Sequence, residues 1–261
     1  MTGSGPEQHP DQHDLPPVRV QLHGRFALAV DGQGVEHLLP GRRARLLVAV
    51  LALSNRTAVE RSTLIDVLWS PARPGDGAAG TFAALLSKVR TALAPGEIRG
   101  RRTLQLVLPP GSIIDAVVAQ GALHAAEAAA AREDWPRAWT ESLSALFVTQ
   151  RGLLGDFEDP WSEERREEAA HQHRRVLRCY AEACLHLGPG ERAGAERSAR
   201  TLIALDPLAE TGYRLLMRAH LAQDDRAAAL AVYERMRCAL RDQLGALPSQ
   251  AAQELHAELL G

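Results

Sequence analysis

The sequence predicts a mainly α-helical chain with a small β component, arranged in two parts. Residues 18–39 and 95–109 contain alternating apolar and polar side chains, a pattern typical of short strands. Elsewhere apolar residues recur every three or four positions, which is typical of helices. Two similar helical segments place Ala195 and Ala229 34 residues apart. This is the period of tetratricopeptide repeats, so the second part is predicted to be an array of helical hairpins.

Composition indicates a globular protein in a reducing, cytoplasmic compartment. The 261 residues are 46% hydrophobic, which is ordinary for one or two globular domains. The apolar run at residues 46–53 is far shorter than the roughly 18 residues of a membrane span. Residues 1–17 are polar, with neither a basic start nor an apolar stretch, so we expect a disordered arm rather than a secretory signal. The spacing of the three cysteines fits neither a disulfide framework nor a metal knuckle.

The charges are unevenly distributed along the chain. Residues 18–109 hold 13 Lys or Arg and 6 acidic residues, a formal charge of +7. Residues 110–261 hold 17 Arg and 23 acidic residues, a formal charge of −6. This asymmetry favours a first domain that faces a polyanion, although chance clustering on a solvated surface gives the same numbers.

The order of elements over residues 18–109 is that of a winged helix-turn-helix domain. Three or four short strands precede a helix that begins near Gly41, and a second helix follows in ERSTLIDVLWS. The loop PARPGDG separates it from a third helix at residues 77–93, and a hairpin with a basic turn follows. In such domains the third helix enters the major groove of DNA and the hairpin contacts the backbone.

The third helix has an apolar face and a weakly polar face. Phe82, Leu85 or Leu86, Val89 and Leu93 are predicted to be buried. The candidates for the DNA groove on the other side are Thr81, Ser87, Lys88 and Arg90. For phosphate contacts, the candidates are the hairpin residues Arg99, Arg101 and Arg102 and the first-helix residues Arg42, Arg43 and Arg45.

Residues 110–261 are predicted to be entirely helical, with buried small and aromatic residues at repeating positions. Stacked helical hairpins form a curved surface suited to binding proteins or peptides. A helical bundle that only packs on the first domain is the alternative. The repeat positions are Ala183, Ala195, Ala199 and Pro207 in one segment and Tyr213, Leu216, Met217, Ala229, Tyr233 and Met236 in the next.

The sequence shows no catalytic, metal-binding or cofactor-binding pattern. Lys88 is the single lysine, and it follows FAALLS rather than a glycine-rich loop, so a P-loop is absent. His171 and His173 are two residues apart, about 200° around a helix, and cannot chelate one ion together. We therefore predict that the protein is not an enzyme and that it needs no metal or cofactor.

Several blocks of the sequence resemble the SARP activators, the antibiotic regulatory proteins of actinomycetes. The segment GRRARLLVAVLALSNRTAVERSTLIDVLW and the block LLSKVRTAL resemble their OmpR/PhoB-type winged helix. Asp206-Pro207-Leu208, residues 229–233, Leu244-Gly245 with Pro248-Ser249, and residues 158–161 resemble their bacterial transcriptional activator domain. The resemblance implies a winged-helix domain at 18–109 and an activator domain at 110–261.

The same resemblance implies the function and the partners. The expected function is activation of a biosynthetic gene cluster, such as one for antibiotic biosynthesis, by binding direct repeats near a promoter. The expected partners are double-stranded DNA, RNA polymerase holoenzyme and a second copy of the chain on DNA. The resemblance also implies a DNA-binding domain of the kind found as the output domain of phosphorelay regulators.

The third helix and the hairpin depart from the family pattern. Where the family usually has Arg, Asn and Gln on the outward face, this chain has Ala79, Gly80 and Ala83. Asn and Gln read adenine and Arg reads guanine, whereas alanine offers only a methyl group to thymine. In the hairpin, Arg101-Arg102-Thr103-Leu104 replaces the usual Gly-Pro-Gly-Tyr turn. An alternative function is therefore a regulator with degenerate DNA readout that acts as a protein-interaction module.

Overall fold

A computed structural model of the chain describes residues 15–69 and 78–261 and divides it into two units. Unit 1 comprises residues 1–117 and 153–163, and unit 2 comprises residues 118–152 and 164–261. Most of the predicted arm, residues 1–14, and the loop PARPGDG lie outside the described residues. The domain boundaries inferred from the sequence stay a prediction.

The strands of unit 1 form two small sheets, as the alternating pattern predicted. The first sheet has the order β3-β2-β1-β7, in which β1 and β2 are antiparallel and β7 runs parallel to β1. The second has the order β4-β6-β5 and is antiparallel. The strands are β1 (Val18–Gln21), β2 (Ala27–Val30), β3 (Gln33–Gly34), β4 (Val59–Glu60), β5 (Glu97–Arg99), β6 (Thr103–Val107) and β7 (Ile113–Ile114).

Three helices pack around the core of unit 1. They are α1 (Gly41–Leu53), α2 (Arg61–Trp69) and α3 (Ala78–Leu93). Beyond its first turn α1 is apolar on nearly every side and almost fully buried, as expected of a central helix. On α3, Phe82, Val89 and Leu93 are fully buried, and of the two predicted alternatives Leu86 is buried while Leu85 is half-buried. The three predicted helices and the predicted apolar face of α3 are confirmed.

Asp115, the first residue of α4 (Asp115–Ala130), is hydrogen-bonded to the two residues that follow β1. Its buried carboxylate accepts hydrogen bonds from the backbone N–H groups of Leu22 and His23, at 2.8 and 3.0 Å. Burial raises the pKa of Asp115, but the His23 side chain and these two N–H groups together outweigh burial, and the pKa lies below its ordinary value. The carboxylate therefore stabilises the junction of strand and helix in its charged form.

The segment 153–163 completes the core of unit 1 from a distant part of the sequence. The Leu154 N–H donates to the Leu22 carbonyl at 2.8 Å, and the Phe26 N–H donates to Asp156 Oδ2 at 2.9 Å. The rings of Phe26 and Phe157 pack edge to face with centroids 6.0 Å apart, and both are almost fully buried.

In the residues that the structure describes, the helices of unit 2 are joined by turns and loops, without strands. After α4 it contains α5 (Trp135–Thr149), most of α6 (Pro160–Leu187), α7 (Arg192–Leu205), α8 (Glu210–Leu221), α9 (Arg226–Leu244) and α10 (Gln250–Leu260). No described helix is both long and apolar enough to span a membrane.

The helices of unit 2 repeat one hairpin plan. Ala138, Ala195 and Ala229 are fully buried at equivalent places in α5, α7 and α9, where a small side chain lets two helices approach closely. Asp134 and Asp225 each cap the next helix by accepting a backbone N–H three residues on. The predicted repeat residues Tyr213, Leu216, Met217, Tyr233 and Met236 are all buried.

Candidate nucleic-acid interface

The exposed face of α3 carries few groups that can contact DNA bases. Thr81, Ser87 and Lys88 are exposed, as predicted. Around them are exposed Gly80, Ala83 and Ala84, which offer no hydrogen bond from a side chain. The side chain of Ala79 lies outside what the structure describes. On this face the described side chains therefore present two hydroxyl groups and one ammonium group.

The β5–β6 hairpin at residues 97–107 forms the wing. Arg90 connects α3 to this wing. Its Nε donates to the Ile98 carbonyl at 3.0 Å and its Nη2 donates to the Gly100 carbonyl at 3.1 Å. Two of the five guanidinium donors are thus engaged within the protein, and the fork geometry fixes the wing against the helix. The structure brings this predicted groove residue together with the wing rather than leaving it isolated on the helix.

The turn of the wing is constrained on both sides. Gly100 has a φ of +102°, and a Cβ atom placed there would lie 1.9 Å from the Thr103 carbonyl oxygen, so only glycine fits. Arg102 lies two residues after Gly100. Its carbonyl accepts a hydrogen bond, at 2.8 Å, from the backbone N–H of Arg61, the first residue of α2. The backbone on either side of Arg101 is therefore held by α3 on one side and α2 on the other.

The three wing arginines differ in their surroundings. Arg99 Nε bonds to Glu97 Oε2 at 2.8 Å, with both side chains mostly exposed, a pair that contributes little to stability. Arg101 and Arg102 are exposed. Among the residues that the structure describes, neither of them, nor Lys88, has a side-chain hydrogen bond or ion pair. On α3 and the wing, Lys88, Arg101 and Arg102 are therefore exposed cations whose charge is available to an external anion.

The first-helix arginines are only partly available. Arg43 Nε donates to the Leu68 carbonyl at 3.2 Å, and its guanidinium lies 5.1 Å from the centroid of the Trp69 ring, so it holds α1 against α2. Arg42 lies 3.9 Å from Glu158, and both side chains are exposed. Arg45 is half-buried, and its Nε is buried without a hydrogen-bond partner in the described part of the chain.

Two residues that position this surface were not among the sequence predictions. Arg61 holds the wing through its backbone and places its guanidinium 4.7 Å from the centroid of the Phe82 ring. Gly100 permits the turn. A glycine between Arg99 and Arg101 in a strand-turn-strand pattern indicates a turn at this place, so its role could have been predicted from the sequence. No sequence pattern reveals Arg61, because its role depends on the contact of α2 with β6.

The geometry of the two units defines a class of protein. Unit 1 is a winged helix-turn-helix domain with exposed cations on its third helix and its wing, and unit 2 is an array of helical hairpins. Cations of this kind contact phosphates and set the position of a protein on a duplex, whereas base contacts set specificity.

Comparison with known families agrees with this class. The family model of the bacterial transcriptional activator domain matches residues 114–260, more than half of the chain. The chain belongs to this family, and the prediction of a SARP-type regulator is confirmed.

Two relatives and one solved structure extend the comparison. The chain is 32% identical over 234 residues to the regulatory protein AfsR of Streptomyces coelicolor, covering 88% of this chain and 23% of AfsR. It is 28% identical over 252 residues to the transcriptional regulatory protein EmbR of Mycobacterium tuberculosis, covering 92% of this chain and 62% of EmbR. The structure of M. tuberculosis EmbR in complex with a low-affinity phosphopeptide superposes with a TM-score of 0.82 at 21% identity, over 94% of this chain and 65% of that one. The chain thus spans about a quarter of AfsR and about three fifths of EmbR.

Proposed function

We propose that the protein is a DNA-binding transcriptional activator of a biosynthetic gene cluster. It binds direct repeats near the promoter through α3 and the wing, as a dimer on DNA, and unit 2 contributes contacts that recruit RNA polymerase holoenzyme. The observation that carries the proposal is the presence of Lys88, Arg101 and Arg102 as exposed, unpaired cations on elements that Arg90 and Arg61 hold in place. The regulatory relatives support the same role.

α3 and the wing have different roles in DNA binding. Arg101 and Arg102 contact phosphates and provide affinity with little sequence preference. Thr81, Ser87 and Lys88 provide base contacts, which are few, so a single copy discriminates weakly between sequences. Binding two repeats at once compensates for this, because the second contact occurs at a high effective concentration.

Fluorescence anisotropy on the full chain tests the phosphate contacts. The probe is a duplex from the promoter region next to the gene, titrated at several salt concentrations beside a scrambled duplex. In Arg101→Ala/Arg102→Ala, affinity falls for both duplexes, and the slope of log K against log salt decreases by about 2. Arg132→Ala/Arg226→Ala removes the same charge from two exposed positions of unit 2 and should leave the slope unchanged. An unchanged slope in the wing variant would disprove the assignment.

The same titration tests the repeats and the base contacts. A duplex with two repeats should bind much more tightly than a duplex with one repeat. Thr81→Ala/Ser87→Ala should reduce the preference for the promoter duplex over the scrambled one, with affinity for the scrambled duplex retained. A lone chain that prefers a single repeat by a factor of about 10⁴ would contradict the weak readout proposed for α3.

A second candidate function rests on the composition of α3. Gly80, Ala83 and Ala84 leave much of the exposed face without polar groups, and Arg90 is engaged by the wing. A regulator that acts through its helical hairpins alone would have this face. Absence of binding to either duplex at low salt would favour this second function over the first.

A further inference from the structure

Unit 2 contains a pocket with basic side chains along one wall. Its volume is about 240 Å³, and α6, the end of α7 and the start of α8 line it. His171, Arg174, Arg175 and Arg178 face it from α6, at the three- and four-residue spacing that places side chains on one face of a helix. Leu202, Ala209 and Gly212 contribute its apolar and backbone surface.

The arginines of the pocket differ in what they already bind. Arg175 makes a two-point ion pair with Glu127 of α4, at 3.0 and 2.6 Å, so its charge is compensated. Arg174 donates to His171 Nδ1 at 2.8 Å, a contact that orients the guanidinium without neutralising it. Within the described residues, neither Arg174 nor Arg178 forms an ion pair with a carboxylate. The pocket thus presents two uncompensated guanidinium groups.

Asp206 is the carboxylate among the described lining residues, and it is partly engaged. Its Oδ1 accepts the Leu208 N–H at 3.2 Å. The start of α8 lies at the same pocket, where its N-cap Ala209 provides no side-chain hydrogen bond and its first turn carries the acidic Glu210. Gly212 lets α8 close on α7, since a Cβ atom there would lie 2.9 Å from Ile203 and 3.1 Å from the Ala199 carbonyl oxygen.

This positive charge is local, and the pocket is small. Unit 2 as a whole holds 17 Arg and 18 acidic residues, so it has no general attraction for anions. Elsewhere in the unit arginines pair with acids on the same helix, as Arg200 does with Glu196 and Arg237 with Glu234. The volume is below the roughly 300 Å³ at which pockets enclose a whole small molecule, so it suits side chains that a longer ligand inserts.

We infer that this pocket is a docking site for an acidic peptide segment of a partner protein, which inserts Glu or Asp side chains between Arg174 and Arg178. A carboxylate takes two parallel N–H bonds from a guanidinium, and arrays of helical hairpins commonly bind extended segments. The inference does not depend on DNA binding by unit 1.

Peptide binding to the full chain tests the docking site. The probe is a short fluorescein-labelled peptide of alternating Glu and Ala, compared with one of alternating Gln and Ala. We expect the Glu peptide to bind and the Gln peptide not to bind. Arg174→Ala/Arg178→Ala should weaken binding about tenfold or more. The single variant Arg178→Glu reverses the charge of one exposed residue and should weaken binding as well. It provides a second test if the double variant fails to fold.

Two control variants separate this site from other cations. Arg132→Ala/Arg226→Ala removes two exposed arginines of unit 2 outside the pocket and should bind the Glu peptide normally. Arg101→Ala/Arg102→Ala tests whether the peptide binds the wing instead, and it should also bind normally. Equal binding by the pocket variants, loss of binding in the wing variant, or no binding of the Glu peptide would each overturn the inference. Displacement of the peptide by equimolar free glutamate or inorganic phosphate would show that the pocket binds a small anion, and it would overturn the inference that the ligand is a peptide.

Discussion

Lys88 and Arg90 are two residues apart on α3, and the sequence predicts the same role for both. The structure gives them different surroundings, because the Arg90 guanidinium bonds to two wing carbonyls while the Lys88 ammonium has no bonded group among the described residues. Their separate roles in DNA binding stay predictions. The difference follows from the long arginine side chain, whose fixed donors match two backbone carbonyls that lie on one edge of a turn.

Asp115 offers a test of a single buried carboxylate. Asp115→Asn should destabilise unit 1 by about 1–3 kcal/mol at neutral pH, because an amide cannot accept both backbone N–H bonds and turns donors toward His23. The folded-state pKa of Asp115 is lowered, so its stabilisation is complete above the ordinary aspartate value of about 4 and is lost as pH falls further. Denaturant unfolding of both proteins at neutral and acidic pH should show a difference that shrinks in acid.

A conservative control accompanies this measurement. Asp134→Asn changes an exposed N-cap residue, where asparagine caps a helix about as well as aspartate. It should change stability little at either pH. A constant difference between wild type and Asp115→Asn across the pH range would contradict the role given to the charge.

At the scale of elements, the wing shows how neighbouring elements position a turn. β6 pairs with β4, α2 donates a backbone N–H to Arg102, and α3 contributes Arg90. The turn between β5 and β6 would otherwise be a short exposed hairpin, which has little stability of its own. The position of the wing therefore depends on side-chain and backbone bonds from two helices.

Replacing Arg90 should loosen the wing more than replacing Lys88. In Arg90→Ala, amide hydrogen exchange at residues 98–104 should become faster, since two carbonyls lose their donors. Lys88→Ala removes one charge from the same helix and should leave this exchange unchanged. Both variants should weaken DNA binding, but only the first should do so with a change in wing protection. Equal exchange in the two variants would show that Arg90 does not hold the wing.

At the scale of the whole molecule, the two units do not follow the order of the sequence. The segment 153–163 belongs with unit 1, where it contributes the Phe157 ring and four acidic residues. One of these, Glu158, lies 3.9 Å from Arg42. The charge of +7 counted over residues 18–109 is therefore reduced in the folded unit. DNA binding then depends on where the unpaired cations lie rather than on the net charge of the unit.

Phe157→Ala tests whether this segment completes unit 1. Loss of this buried aromatic ring should lower the free energy of unfolding by about 3–5 kcal/mol. Because Phe157 packs on Phe26, which directly precedes β2, amide exchange in β1 and β2 should become faster. The matched control is Phe147→Ala in unit 2, where the ring is 64% exposed and the expected change is below about 0.5 kcal/mol. Unchanged exchange in β1 and β2 of the Phe157 variant would show that the segment is not part of this core.

The sequence by itself determined the classes of the elements, their order and most buried positions. The periodicity of Phe82, Val89 and Leu93 predicted the buried face of α3, and the 34-residue spacing of Ala195 and Ala229 predicted the hairpin array. Both are local patterns, because periodicity follows from the geometry of a single element. The resemblance to SARP activators depended on such blocks as well.

Only the tertiary structure decided which charges pair and which remain free. The bonds of Arg90 to the wing, of Asp115 to Leu22 and of Arg175 to Glu127 join residues that no local pattern connects. The packing of residues 153–163 in unit 1 and the two uncompensated arginines of the pocket also could not be predicted from local patterns. Hydrogen bonds and ion pairs act over a few ångströms in space, and the distance between two residues along the chain does not set their distance in the fold.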